Sequence, residues 1–288
     1  MNNFTIYILT HGRPHDQLTV QTLKRLGCTK EWFLVLDNQD ETIQEYIDTW
    51  GADRIIVFDK NLVMARTDTG LKEPVPKFAV FARNAIECIA SNRFDRTFLM
   101  LDDDITNIRA RVLEGDSLKS VQLDGVFDEV IDAACQYVID ADIQCMGLGF
   151  CNLYMGGKVS FETENPRQRL CAEAFLRNGA HFVKWRLNMV EDLITSIDGS
   201  QRGATWFQFL PLQVDIRMSE GVVEGGNSDA YREFGKYRIG FMPVIAYPSC
   251  NAVKYSKGRW ATTTTPSNSV PKIISGRYKK GDMYEPFV

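Results

Sequence analysis

Three consecutive aspartates, Asp102, Asp103 and Asp104, close the apolar run Thr97 to Leu101. Carboxylates crowded in this way repel one another and lose solvent, so something positive must hold them. A hard divalent cation with oxygen ligands suits the task, and such ions bridge carboxylate to phosphate. A solvated acidic turn whose aspartates cap the next helix is the plainer alternative. A second acid pair, Glu191-Asp192, opens a stretch continuing Leu193-Ile194. It reads as a proton acceptor or as the ordinary acidic start of a helix. Groups suited to an anionic nucleotide are spread among them: Thr10, His11, Gly12, Arg13, Arg66, Lys77, Arg83 and Asn84, with Asp37 able to accept base or ribose hydrogens.

The elements that must position these residues follow from hydrophobic periodicity. Short apolar runs at Phe4–Leu9, Phe33–Leu36, Ile55–Phe58 and Thr97–Leu101 read as strands buried on both faces. Between them, Val20, Leu23 and Leu26 mark a helix capped by Asp16 and stopped by Gly27. Ile43, Tyr46, Ile47 and Trp50 mark a second helix, capped by Asp40, and Ala79 to Ala90 a third. Strand and helix in alternation imply a parallel sheet with right-handed crossovers. Ligands of such sheets sit beyond the carboxyl ends of the strands. Thr10–Arg13, Asp37 and Asp102–Asp104 all follow strands, so they converge on that edge, and Arg83-Asn84 opens the helix that feeds the last one.

The spacing further predicts a long loop over residues 59–77, an irregular polar stretch from Asn107 to Ser117 and an amphipathic helix from Val126 to Val138. The glycine-rich stretch 145–161 is either a pocket lining or a pair of strands. His181 to Trp185 reads as a strand, residues 188–194 as a helix start and 206–216 as one or two strands. Gly225 to Asp229 reads as a turn before a polar helix, and residues 251–288 as an extended tail.

With 288 residues, 44% of them hydrophobic, the chain can bury a sizeable core. No apolar run approaches the length of a membrane span, and the N-terminus lacks the pattern of a signal peptide, so a cytoplasmic protein is expected. Seven cysteines without a Cys-x-x-Cys pair read as reduced core residues. The net charge of −4 argues against a general nucleic-acid binder, but it is unevenly spread. Residues 234–281 hold nine Lys and Arg and no acid; the last 55 residues carry +7 and the first 233 carry −11. The C-terminal part therefore faces something anionic. Lys254, Lys257, Arg259, Arg277, Lys279 and Lys280 are the bases expected to meet it. Trp185, Trp206, Phe207 and Trp260 are expected in the core; an exposed one would stack on a nucleobase.

Asp102 and Asp104, Asp37 in Val35-Leu36-Asp37-Asn38, and Glu191-Asp192 together resemble the motifs of nucleotide-sugar glycosyltransferases of GT-A fold. Tyr7-Ile8-Leu9-Thr10-His11-Gly12-Arg13-Pro14, Ala82-Arg83-Asn84 and Leu101-Asp102-Asp103-Asp104 more narrowly resemble the base-J-associated glycosyltransferases, mostly phage-encoded, which modify hydroxymethylated bases in DNA. The resemblance is good over residues 4–105, extends to about 200 and is absent beyond 250. It implies an α/β, GT-A-like fold: a Rossmann-type, mostly parallel sheet with helices on both faces and a C-terminal acceptor-side elaboration. It implies a UDP-sugar donor, a DNA acceptor, and Mg²⁺ or Mn²⁺ on Asp104 and Asp102, with Asp103 among the nucleotide-sugar contacts. Asp192 would be the catalytic base, with Glu191 second. No histidine follows Glu191-Asp192, so a further metal ligand known in some GT-A enzymes lacks a counterpart. Residues 1–105 would form the nucleotide-sugar half, 106–233 the acceptor and catalytic half of the same domain, and 234–288 a basic extension. A glycan, lipid or protein acceptor, a nucleotidyltransferase, and a non-catalytic nucleic-acid-binding protein remain the alternatives.

Overall fold

Strands β1 (Phe4–Leu9), β2 (Glu31–Asp37), β3 (Ile55–Phe58) and β4 (Thr97–Asp102) pair in parallel in the order β3-β2-β1-β4. The computed structural model describes residues 3–70, 78–150, 158–159, 174–217, 237–256 and 259–265. The four strands are fed by helices α1 (Leu18–Arg25), α2 (Ile43–Trp50), α3 (Lys60–Arg66) and α4 (Ala79–Asn92). Beyond β4 follow β5 (Ile105–Glu114), β6 (Ser117–Gln122), helix α5 (Phe127–Asp140), β7 (Cys145–Phe150), β8 (Ala174–Asn178), helix α6 (Glu191–Gln201) and β9 (Trp206–Ile216). They extend the sheet to nine strands in the order β3-β2-β1-β4-β8-β7-β9-β5-β6. Helix α7 (Tyr237–Ala246) and a separate hairpin, β10 (Asn251–Ser256) and β11 (Arg259–Thr264), complete the described chain.

Strand side chains alternate between the two faces, and each face has its own core. Ile6, Ile8, Leu34, Leu36, Leu99 and Leu101 pack with Val20, Leu23, Tyr46, Phe127 and Ile131 from α1, α2 and α5. Tyr7, Phe33, Val35, Phe98 and Met100 pack on the other face with Phe81, Ile86, Trp185 and Met189. Burying each such side chain stabilises the fold by roughly 1.5–3 kcal/mol.

The fold is α/β as expected, but the sheet is mixed. β1, β2, β3 and β4 are parallel, and β7 pairs with β9 in parallel. The joins β4–β8, β7–β8, β5–β9 and β5–β6 are antiparallel. Asn107 to Ser117, expected to be irregular, belongs to the β5–β6 hairpin. Gly115 at φ +61° makes its turn, and the polar residues of β6 lie on the exposed edge of the sheet. Part of the expected 59–77 loop is α3, because the Asp59 carboxylate accepts from Leu62 N at 3.0 Å and caps it. The Asp16 side chain does not cap α1; it is taken by Arg217 in a bidentate pair at 2.5 and 2.7 Å. Asp40 closes a turn onto Thr42 just before α2 and caps no helix.

His181 to Trp185 alternates as a strand would but pairs with none. Its backbone donors are met by side chains of α4: Val183 N donates to Glu87 and Trp185 N to Asn84, at 3.2 and 2.9 Å. Among the cysteines, Cys135, Cys145 and Cys250 are buried as expected, whereas Cys88 is exposed on the outer side of α4. The stretch 145–150 is strand β7; the remainder of the glycine-rich segment, apart from residues 158–159, and the turn expected at 225–229 lie outside the described residues.

Candidate active site

Only two residues separate β4 from β5, so the aspartates form a tight turn at the carboxyl edge of the sheet. Helix α1 holds that turn. Thr19 Oγ1 donates to Asp102 O at 2.6 Å and accepts from Ile105 N at 3.0 Å, and Thr22 Oγ1 donates to Ile105 O at 3.0 Å. Thr19 N donates to Asp103 O at 3.2 Å. Asp103 turns inward: its carboxylate accepts from Thr10 Oγ1 at 2.6 Å and pairs with Arg13 at 3.2 Å. Asp102 and Asp104 keep more solvent.

The loop after β1 is built by hydrogen bonds from within the site. Tyr46 Oη lies 2.9 Å from Thr10 Oγ1 and accepts from Arg13 N at 2.8 Å. Gln17 Nε2 donates to Thr10 Oγ1 and to Arg13 O. Gly12, at φ +67° where a side chain would be strained, donates its N–H to Asp40 at 2.8 Å. Asp37 is buried and accepts from Lys60 Nζ at 3.1 Å and from His11 Nδ1 at 3.0 Å. Those two bonds hold its carboxyl below the usual range despite burial, and the same contact raises the His11 pKa.

Arg83 sits at the centre. Its side chain is almost wholly buried, with the guanidinium 4.8 Å from the Phe175 ring centroid and 5.4 Å from that of Trp185. Nε donates to Glu191 at 3.0 Å and Nη2 to Asp102 at 3.1 Å. The arginine, 108 residues before Glu191 in sequence, therefore joins the β4 aspartates to the acid pair at the start of α6. Burial raises the Asp102 pKa to about 6; Arg83 opposes the shift, while Asp104 and Glu191 add to it. Burial also raises the Asp104 carboxyl, with Asp103 adding to it. Burial and the neighbouring Glu191 raise the Asp192 carboxyl.

The two acids of α6 differ in what they have free. Glu191 is buried against Arg83. Asp192 is partly exposed, and among the described residues its one hydrogen bond is from Leu193 N at 2.7 Å. The chain reaches them through Leu187 at φ +67° and Val190 at φ +55°, a left-handed conformation costly for a β-branched residue. Asn188, between them, is buried, and neither of its amide atoms has a hydrogen-bond partner among the described residues. Buried amides are nearly always paired, so this one is set to receive a ligand or water.

Among the described residues no group of three or more His, Cys, Asp or Glu side chains is arranged to hold a metal. Asp102 and Asp104 are a pair of carboxylate donors. That number suits an ion which keeps several waters and takes its remaining ligands from a diphosphate.

The structure thus gathers Thr10, His11, Gly12, Arg13, Asp37, Arg83, Asp102, Asp103, Asp104, Glu191 and Asp192 at one edge. Asn84 instead clamps Trp185, donating to its carbonyl and accepting from its amide. Arg66 lies exposed in the last turn of α3. Lys77, Lys257, Arg277, Lys279 and Lys280 lie outside the described residues. Lys254 is exposed on β10, and Arg259 begins β11. Sequence reasoning missed Thr19, Thr22, Tyr46, Lys60 and Asn188. Thr19 and Thr22 left one trace, two hydroxyls three residues apart beside the apolar stripe of α1.

The family model described as TAGT: TET-Associated Glycosyltransferase matches residues 4–225. Comparison with curated proteins found no match. Among solved structures, glucosyl-3-phosphoglycerate synthase from Mycobacterium tuberculosis in complex with Mn²⁺, UDP and phosphoglyceric acid matches with TM-score 0.50 and 10% identity. The match covers 92% of this chain and 87% of that one. The same enzyme with Mn²⁺ and UDP-glucose matches with TM-score 0.47 and 12% identity, over 92% and 87% of the two chains.

Proposed function

This chain belongs to the TET-associated glycosyltransferase family, and from that premise we propose that it moves a sugar from a UDP-sugar to the hydroxyl of a hydroxymethylated base in DNA. The family name ties the transferase to hydroxymethylating enzymes, whose product carries a primary alcohol ready to accept a sugar. One observation carries the mechanism: Arg83 links Asp102 to Glu191 while Asp192 is left partly exposed beside them.

Residues 1–105 would bind the nucleotide sugar, 106–233 the acceptor, and 234–288 the DNA backbone. Mg²⁺ or Mn²⁺ on Asp102 and Asp104 would supply positive charge to the departing diphosphate; the solved neighbour of similar fold holds Mn²⁺ and UDP. Arg13, joined to Asp103, contributes further positive charge at the same edge. Asp192 takes the proton of the acceptor hydroxyl as that oxygen attacks the anomeric carbon. The bond from the sugar to the diphosphate oxygen breaks, and its electron pair leaves with UDP. Glu191 cannot serve equally, because Arg83 holds it as a buried ion pair. Asn188 offers one donor and one acceptor to a substrate hydroxyl.

The test is incubation of the protein with UDP-sugars, Mn²⁺ and either hydroxymethylated or unmodified DNA, followed by mass analysis of the digested nucleosides. A nucleoside heavier by one sugar, found only with the hydroxymethylated substrate, supports the reading. UDP release with glycan or protein acceptors and none with DNA would move the acceptor elsewhere.

A further inference from the structure

Helix α7 and the β10–β11 hairpin lie beyond residue 225, where the family match ends. They pack together: the hairpin covers one side of α7, and Thr262 Oγ1 donates to Gly240 O at 3.0 Å. The surface they share carries four aromatic rings in a continuous chain. Centroid separations are 6.4 Å for Tyr237–Phe241, 5.7 Å for Phe241–Trp260 and 5.1 Å for Trp260–Tyr255. All four stay substantially open to solvent: Tyr237 is 52% exposed, Phe241 39%, Trp260 45% and Tyr255 63%. Single exposed apolar residues are ordinary, but a contiguous patch of large rings marks a binding surface.

Two observations indicate what covers it. Residues 234–281 contain nine Lys and Arg and no acid, and Lys254 is exposed on β10. A second copy of this basic segment would bring like charge to like charge, whereas a polyanion is attracted. The unit is also tied to the acid pair. Tyr247 Oη donates to Asp198 of α6 at 2.5 Å, and Met242 packs in the cluster containing Trp185 and Met189. Helix α6 begins at Glu191-Asp192, so the unit that bears the aromatic face is anchored to the helix that carries those acids.

We propose that the Tyr237–Phe241–Trp260–Tyr255 face is a stacking platform for unpaired bases of a DNA strand. The proposal deepens the DNA-acceptor reading above and rests on it. Aromatic faces stack on any base, so the platform adds affinity without sequence choice. A duplex hides its base faces, so the platform favours a single-stranded or locally opened substrate. An enzyme acting on a base needs such a substrate in any case.

The experiment measures binding of the full chain to a labelled single-stranded oligodeoxynucleotide without modified bases, to the matching duplex, and to heparin as a polyanion without bases. The single strand should bind more tightly than the duplex. Trp260→Ala and Tyr255→Ala should each weaken single-strand binding about 5- to 100-fold, the scale of one lost stacking contact, while heparin binding changes little. Trp260→Phe should restore most of the loss, which a merely misfolded hairpin would not allow. Unchanged single-strand affinity in both alanine variants overturns the platform. So does equal loss of heparin binding, or a dimer of the parent chain that the alanine variants abolish. Because the probes carry no acceptor hydroxymethyl group, stacking is read independently of transfer. Platform binding without any transfer leaves the platform standing and removes the acceptor reading. Transfer to hydroxymethylated DNA with an unchanged KM in Trp260→Ala does the reverse.

Discussion

Arg83 is a buried cation shared by carboxylates from two distant parts of the chain. Replacing it by Met leaves Glu191 buried without a counter-charge. Arg83→Met should therefore lower stability by about 3–5 kcal/mol, read by denaturant unfolding. Asp192 has a different duty. Asp192→Asn keeps the shape and removes the proton affinity, so turnover should fall about 10²-fold or more while UDP still raises the melting temperature. If turnover holds and Glu191→Gln is the inactive variant, the base is the other acid. The His11–Asp37 pair gives a pH signature. His11 is raised, so its contribution to stability is whole below its ordinary value near 6.5 and fades as pH rises through the raised value. Asp37 is lowered, so its contribution is whole above about 3.8 and fades as pH falls through its lowered value. Half of the His11 side chain is in solvent, so the effect is small. Comparing His11→Gln with the parent by thermal unfolding from pH 6 upward should show the parent losing its advantage; parallel curves would exclude the coupling.

At the scale of elements, the sheet depends on how close backbones can come. Gly179 follows β8 beside the turn before β4, and a Cβ there would stand 1.9 Å from Asp95 O. Backbone cannot rotate aside as a side chain can, so the sheet itself must shift. Gly179→Ala should destabilise the protein by at least about 1–3 kcal/mol, the usual cost of overpacking, with loss of expression or a lowered melting temperature as the readout. The same strand end supplies Arg177, whose buried pair with Glu87 at 2.7 Å anchors the 183–185 segment through Glu87. With Asn84 on Trp185, α4 fixes the chain that leads to Glu191 and Asp192. The strained residues Leu187 and Val190 persist because both sides of them are pinned.

Over the whole molecule, the decisive feature is the division of charge. The first 233 residues carry −11 and would repel a polyanion; the last 55 carry +7. DNA affinity should therefore fall steeply with salt. Neutralising Lys279 and Lys280 together should flatten the slope of log affinity against log salt by up to about 1.4 for a single strand. Donor binding, proposed for the acidic half, should not change. Charge-neutral variants with the parent's slope would remove those two lysines from the interface. No helix among the described residues is long and apolar enough to cross a membrane.

The sequence by itself determined that β1 to β4 run in parallel, because unbroken apolar runs alternating with amphipathic stretches admit few other arrangements; their order in the sheet came from the fold. It also determined that three aspartates must close the apolar run of β4, since the run simply ends in them. The β5–β6 hairpin was not legible, because an edge hairpin is exposed and its polar composition mimics a loop. The false strand at His181–Trp185 has the same cause reversed: its alternation reflects burial, while its backbone partners are side chains of α4 that no local pattern encodes. Only the tertiary structure decided that Arg83 turns inward onto acids, that Glu191 is spent on it and Asp192 left accessible, and that Trp260 is exposed while Trp185 and Trp206 are not. A side chain's identity sets what it can bond to. Which partner it finds depends on which distant segment the folded sheet brings within about 3 Å.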